Sequence, residues 1–394
     1  MGAPLEGIKV LDLSRLLPGP FCTQLLADLG ARVVKVEDTQ GGDYARAGAP
    51  AIDGQSAFYA AINRNKQSIK LNLKKPEGVA AFKKLLPNFD VVVDTFRPGV
   101  VEKLGVGYET CRAIHPKVVY CAITGYGQDG PYAQRAGHDN NYLALAGVGG
   151  ITGEPGRRPV LCGFQLADLG GGALFGLSSI LAGLLQAQRT GTGTYCDVSM
   201  HDGAFAFLAP HMAGYLQQKD NVPGPSTMLL SGAVVCYNIY QTKDGRYMSV
   251  GSLEPKFWQA FCQVTKRPDI QPFAFTKAAD GEKGYETVRE LFRSKTQAEW
   301  AELLKDADCC VEPIWDFAQT ENDPQLAARK MWISIRNRKG ESVKLPSHPF
   351  RFSTVEKKSE DAPPPQYGEH TQAVLKEFGF TDADVAQLKT GGVI

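Results

Sequence analysis

The sequence lacks most of the signatures that assign a chain on inspection. It carries no strong charge of either sign: 43 Lys and Arg stand against 42 Asp and Glu along 394 residues, a net charge of +1. Nucleic-acid recognition needs a basic patch or stripe, and none is present. No run of about 18 apolar residues occurs, which argues against a membrane span. The nine cysteines contain no C-x-x-C pair, and only Cys309 and Cys310 adjoin. Reduced, buried thiols in a cytoplasmic protein are the expectation. The six histidines show no H-x-x-x-H or H-E-x-x-H spacing, so no metal site is expected. A G-x-S-x-G elbow and a P-loop are both missing. The cluster GVGGITG (147–153) imitates part of a dinucleotide fingerprint but has no strand before it and no acidic residue at the required distance. The N-terminal MGAPLEGIKVLDLSRLLPGP enters a strand pattern directly and has no signal-peptide layout.

What is present is an alternation of elements. A 43% hydrophobic and 22% charged composition is ordinary for a globular protein, and the length suits one large domain or two unequal ones. IKVLDLS (8–14), ARVVKVE (31–37), FDVVVDTF (89–96) and the segment 115–127 read as buried strands. Helical periodicity runs over 18–30, ending at Gly30, and over 76–86. Strand-helix alternation predicts a parallel sheet with helices on both faces, which binds ligands at the carboxyl ends of its strands. GPF (19–21), GGD (41–43), RPG (97–99) and GYGQDG (125–130) all follow strands, as binding loops or as ordinary turns. LADLGGGALFGLSSILAGLLQAQ reads as a helix buried on most faces. After the polar stretch 218–227, a smaller unit opens with a hairpin around Lys243-Asp244-Gly245, followed by helices near 255–265, 283–293 and 297–305.

Asp168 is the most suggestive polar residue. A carboxylate with apolar flanks needs a reason: unpaired burial is costly and raises its pKa. At a helix N-terminus beside three glycines it suits a nucleophile or general base; equally, it suits a helix cap. His138 and Asp139 begin a largely apolar helical run, where a histidine is either structural or catalytic. Glu254 precedes Pro255, as the acidic residue of a helix start would.

At these segments the chain resembles the family III CoA-transferases, the group that also contains the α-methylacyl-CoA racemases. The resemblance runs nearly the whole length, through GIKVLDLSRLLPGPFCTQLLADLGARVVKVE (7–37), NRNKQSIKLNLKKPEG (63–78), FRPGVVEKLG (96–105), ITGYGQDGP (123–131), AGHDNNYLALAG (136–147), LADLGGG (166–172), TGTGTYCDVSMHDG (190–203), DGRYMSVGSLEPKFW (244–258) and GEHT (368–371). It implies an α/β fold. A Rossmann-like large domain with a parallel sheet would come from 1–200 plus 331–394, with a smaller α+β domain at 225–325 and linkers at 201–224 and 326–330. An interlocked homodimer is expected, with a hetero-oligomer containing a related subunit as the alternative.

The resemblance also implies chemistry. No cofactor is held permanently; a coenzyme A thioester and a carboxylic acid are the substrates. Asp168 would attack the donor thioester to give an anhydride, which CoA thiolate converts to an aspartyl-CoA thioester, and the acceptor acid reverses the sequence. Such a route keeps the thioester bond from water and calls for oxyanion donors, a role open to the N–H groups of Gly170 to Gly172. In the racemase branch the same aspartate works with a histidine, matched by His138, with Glu254 as a nearby acid. Two departures favour transferase: residues 39–66 form a longer, transferase-like segment, and 226–238 lacks the acidic residue of racemases. Leu169 also stands where racemases favour Phe. For CoA binding, Arg97 matches a phosphate contact, Lys66 and Arg46 lie in segments lining the nucleotide, Gly127 sits in a post-strand turn, and Tyr142 would pack near the pantetheine.

Overall fold

The computed structural model describes residues 2–394. The chain divides into two compact units, one comprising Met1–Ala146, Gly163–Leu208 and Pro324–Ile394, the other Gly147–Cys162 and Ala209–Asp323.

The first unit is built on a six-stranded sheet of β1 (Lys9–Asp12), β2 (Arg32–Glu37), β3 (Gln67–Lys70), β4 (Val91–Asp94), β5 (Val119–Thr124) and β6 (Tyr195–Ser199). The spatial order is β3-β2-β1-β4-β5-β6, and every pairing is parallel. Strand order reverses between β1 and β4, which opens a crevice at the carboxyl ends of those strands. The four strands read from sequence are the central ones; β4 and β5 are buried at every position, as a parallel sheet covered on both faces requires. The two unread strands, QSIK and YCDVS, are the sheet edges, where polar residues interrupt the apolar run.

Charged residues sit inside this sheet. Register pairs Asp12 with Lys35 across β1 and β2. Lys35 Nζ lies 2.9 Å from Asp43 Oδ2 and donates to the Ser14 carbonyl at 2.7 Å. Burial works to raise the Asp12 pKa, but Lys35, Lys66 and the Ser14 and Thr23 hydroxyls outweigh it and hold the carboxyl at about 2. Asp43 Oδ1 accepts from the Leu16 N–H, pinning the turn after β1 to the loop after β2.

Helix α1 (Pro18–Asp28) starts with two prolines in its first turn, where a missing N–H costs nothing, and stops before Gly30 at φ +103°. GPF, expected as a loop, is therefore the first turn of a helix. Further helices follow at α2 (Ala57–Asn63), α3 (Pro76–Leu85), α4 (Val100–Leu104), α5 (Tyr108–Ile114) and α6 (Asp139–Ala146). The apolar run begins with an eight-residue π-helix, Ala167–Leu174, which passes into α7 (Phe175–Thr190). Together they form 24 residues that are long and apolar enough to cross a membrane by length and composition alone. Here their glycines press onto neighbouring elements as a core helix does. A methyl group on Gly171 would come within 2.7 Å of the Met200 carbonyl oxygen, at the start of α8 (Met200–Ala206). One on Gly203 would lie 2.4 Å from Gly171 Cα.

The second unit holds an antiparallel sheet of β7 (Tyr237–Gln241), β8 (Tyr247–Gly251) and β9 (Val311–Pro313). The first two are joined by the expected turn, with Gly245 at φ +77°. Helices α9 (Pro255–Val264), α10 (Lys283–Arg293) and α11 (Gln297–Leu304) close over a core in which Phe261 and Phe292 stack at 5.5 Å beside Trp258 and Trp300. The linker expected at 201–224 does not exist as such. Its first part is α8 and belongs to the first unit, its remainder belongs to the second, and Gly147–Cys162 joins the second as well.

The tail returns to the first unit. It forms β10 (Trp332–Arg336) and β11 (Ser342–Pro346), then α12 (Thr371–Glu377) and α13 (Asp382–Thr390). Residues just before and at the start of α12 close the free edge of β3: the His370 N–H donates to the Ser68 carbonyl at 2.9 Å and the Lys70 N–H to Thr371 Oγ1 at 3.0 Å.

The Gly171–Gly203 approach gives a direct test. Gly203→Ala should lower stability by about 1–3 kcal/mol through overpacking, read as a fall in the denaturant midpoint. Gly214→Ala, with open space around it, should leave the midpoint close to that of the parent.

Candidate active site

Asp168 is the second residue of the π-helix. Eight-residue π-helices are rare, and π segments concentrate at functional sites. The helix opens with unsatisfied N–H groups, and Asp139 satisfies two of them: its Oδ1 accepts from the Ala167 N–H at 2.7 Å and the Asp168 N–H at 3.0 Å. Asp168 is thus not the cap of its helix; Asp139, at the first position of α6, supplies that function from another element. No hydrogen bond from the described residues reaches the Asp168 carboxylate. Burial pushes its pKa up, the negative charge of Asp139 adds to this, and the group stands at about 7.

Gly170, Gly171 and Gly172, expected to present N–H groups to an oxyanion, are buried and enclosed in the π-helical hydrogen-bond pattern. A methyl group on Gly172 would meet Met200, Ile123 and Pro18 within 3.2 Å. Their role is close packing, which lets the helix carrying Asp168 settle against α1, β5 and α8.

Tyr142 lies in the same constellation. Its hydroxyl donates to the Gly137 carbonyl at 2.6 Å, and its ring fills the space that side chains at Gly125 and Gly137 would need. Burial raises its pKa to about 12; the charge of Asp168 adds to the rise and that of Arg97 opposes it. Arg97 and Asp168 therefore both act on one hydroxyl. Tyr126, not singled out from sequence, sets its ring edge-on to Tyr142 at 5.1 Å and lies 5.7 Å from the His201 ring. Its signal was its place in the GYG turn after β5. Gly127 in that turn has φ +82°, and the Gln128 N–H donates to Asp197 Oδ2 at 3.1 Å.

The other expected site residues separate into distinct environments. His138 is exposed immediately before α6, its N–H donating to Asn141 Oδ1 at 3.0 Å. Glu254 is in the second unit, exposed, at the N-cap position of α9 without a side-chain cap bond. Arg97 is exposed in the turn between β4 and α4. Lys66 is different. Its buried amine donates to the Pro20 carbonyl, Thr23 and Asn63 at 2.8–3.0 Å and lies 3.3 Å from Asp12. Three N–H bonds facing four oxygens leave no donor for a phosphate, which corrects the expectation for this residue. Arg46 is likewise engaged by Glu37, Gln55, Ser68 and the Pro365 carbonyl, with its guanidinium 4.2 Å over the Tyr59 ring. It lines the wall of a site with its guanidinium held by these partners.

That site is a cavity of about 640 Å³ at the carboxyl ends of the strands around the β1/β4 reversal. Arg15, Asp38, Tyr44, Lys74 and Phe96 line it. Arg15 bonds Asp38 at 2.8 Å and lies over the Tyr44 and Phe96 rings at 5.5 and 5.6 Å.

The family model described as CoA-transferase family III covers residues 5–371. The chain belongs to this family. Human succinyl-CoA:glutarate CoA-transferase is 34% identical over 99% of the chain and 90% of that protein. Human α-methylacyl-CoA racemase is also 34% identical, over 99% of the chain and 97% of the racemase. Among solved structures, a CaiB/BaiF family protein of Brucella suis superposes with a TM-score of 0.82 at 30% identity, covering 96% of the chain and all of its own. As a family III CoA-transferase relative the chain is an enzyme that acts on CoA thioesters.

The Asp139–Asp168 arrangement predicts a titration. In protein labelled with 13C at aspartate carboxyls, two resonances should titrate near pH 7, those of Asp168 and Asp94; one should vanish in Asp168→Asn and move to lower pH in Asp139→Asn, which keeps the capping oxygen but removes the charge, while the other stays. The folded pKa lies above the unfolded value, so the penalty for ionising Asp168 is absent below about pH 4 and complete once pH passes about 7. Asp168→Asn should accordingly melt above the parent at pH 8, with the difference closing at acid pH.

Proposed function

We propose that the chain moves CoA from an acyl-CoA thioester to a carboxylic acid through a covalent intermediate on Asp168. The observation that carries this reading is a carboxylate raised to about pH 7, free of hydrogen-bond donors, on a helix braced by Asp139. A carboxylate so placed is more basic than one in water, hence a better nucleophile, and it ionises within the physiological range. It attacks the acyl carbon as the carbon–sulfur bond breaks, giving an anhydride and CoA thiolate. The thiolate then attacks the aspartyl carbonyl, expels the donor acid and leaves an aspartyl-CoA thioester. The acceptor carboxylate runs the same two steps in reverse and restores Asp168.

CoA placement in this reading is supported by the cations around the crevice. The crevice at the strand-order reversal takes the nucleotide, with Arg15 and Lys74 on its wall, while Arg97 stands exposed beside it for the phosphates. Tyr142 sits between Arg97 and Asp168 in electrostatic terms, as a group packing along the pantetheine would. The exposed apolar side chains Phe164, Leu174, Phe175, Phe205 and Phe207 around the Asp168 helix support a second copy of the chain covering this face.

A racemase reading remains the alternative because His138 lies one residue from Asp139, whose carboxylate holds the Asp168 backbone. That reading requires two groups on opposite faces of the α-carbon.

Intact-protein mass spectrometry after incubation with a short panel of acyl-CoAs, succinyl-CoA among them, tests both. Transfer predicts a hydroxylamine-sensitive adduct on the peptide containing Asp168, formed faster at pH 8 than at pH 6 and lost in Asp168→Ala with about a thousandfold or greater fall in transfer rate. No adduct, together with α-deuterium uptake in heavy water without an acceptor acid, would assign the racemase reaction instead.

A further inference from the structure

A second buried carboxylate has no part in the transfer chemistry. Asp94 ends β4 at 1% exposure, among the rings of Tyr108, Tyr120 and Tyr195, whose centroids lie 5.2–6.2 Å apart. Its Oδ1 accepts from the Phe96 N–H at 2.8 Å. Its Oδ2 is buried without a well-formed hydrogen bond; the nearby Tyr120 hydroxyl donates to the Val106 carbonyl at 3.4 Å. Burial raises its pKa to about 7, against the lowering effect of the Phe96 N–H and the Tyr120 hydroxyl. An apolar side chain would suit these surroundings better, so stability does not account for an acid here.

The turn held by Asp94 accounts for it. Residues 95–99 leave the central strand on which strand order reverses, and Phe96 lines the cavity beneath Arg15. Arg97 follows at once, exposed and acting on Tyr142. The turn is fixed at three points: Asp94 holds the Phe96 N–H, Thr95 Oγ1 accepts from the Arg15 N–H at 3.2 Å, and the Arg97 carbonyl accepts from the Val100 N–H at 3.1 Å before Gly99 opens α4 at φ +85°. Only the first comes from a buried, charged side chain on the sheet itself. We propose that Asp94 is a positioning residue for the CoA site, its buried carboxylate setting the turn that aims Phe96 at the nucleotide and Arg97 at the phosphates.

This assignment rests on the CoA-binding reading above. It predicts that Asp94 acts on donor binding and leaves the chemical step at Asp168 alone. Calorimetric titration of CoA into the parent, Asp94→Asn and Asp94→Val proteins is the test, with kcat and KM for the acyl-CoA measured alongside. The valine variant lacks the acceptor and should bind CoA roughly tenfold more weakly, the worth of one hydrogen bond to a charged group. Its KM should rise in step, its kcat should stay within about twofold of the parent, and its melting temperature at pH 8 should equal or exceed the parent value. The asparagine variant keeps an acceptor oxygen and should restore most of the affinity. Should the valine variant not fold, Asp94→Ala serves in its place. A folded valine or alanine variant with parental affinity overturns the assignment, as does an asparagine variant as weak as the valine one. A parent protein that binds no CoA would instead overturn the functional reading on which it depends.

Discussion

The geometry of the site depends on one carboxylate oxygen. Asp139 Oδ1 takes the first free N–H groups of the π-helix and so fixes where that helix begins, which residue stands one step inside it and what charge that residue feels. An uncharged acceptor could cap the helix equally well. A charged one also raises the affinity of Asp168 for a proton, so the start of the helix and the titration of Asp168 are tuned by the same contact. The glycines complete the arrangement from the other side. With no Cβ at Gly171 and Gly203, two helices meet at backbone distance, and the Asp168 helix is clamped between a polar tether at its start and bare backbone along its face.

Cations sort themselves by the same logic. Lys35, Lys66 and Arg46 are surrounded by oxygens from several chain segments and hold the loops around the crevice in shape. Arg97 and Lys74 keep their charge available. Arg15 stands between the two classes, paired with Asp38 yet laid across aromatic rings at the cavity wall. The crevice thus has an inner ring of neutralised charge that gives rigidity and an outer set whose charge is available to attract anions.

Much of this was legible in the sequence, and the exceptions have physical reasons. The central strands are readable because burial on both faces writes itself as unbroken Val and Ile; QSIK and YCDVS are edge strands, and their polar residues conceal them. Asp168 stands out because a charge amid apolar residues always needs explaining. Its cap was not readable, since Asp139 lies 29 residues away and only the fold brings the two together. The GGG run was taken for a donor loop because glycine permits several uses, and spacing alone does not tell close packing from an exposed N–H. Lys66 was misjudged for a related reason: a basic residue in a binding segment looks the same whether it faces a ligand or a buried carboxylate. The boundary at 201–224 failed because α8 is short and polar at its start, although it buries Gly203 in the core.

The division of the chain sets the order in which the protein can be completed during synthesis. The second unit is encoded in two segments that alternate with the three portions of the first, and the first is closed by residues near 370 that seal the outer edge of β3. Until those residues are made, the sheet carrying the crevice has one margin bare. A nascent chain therefore passes through a stage in which the first unit has strands and helices but an open border, and in which pairing with another unfinished chain competes with its own later segment.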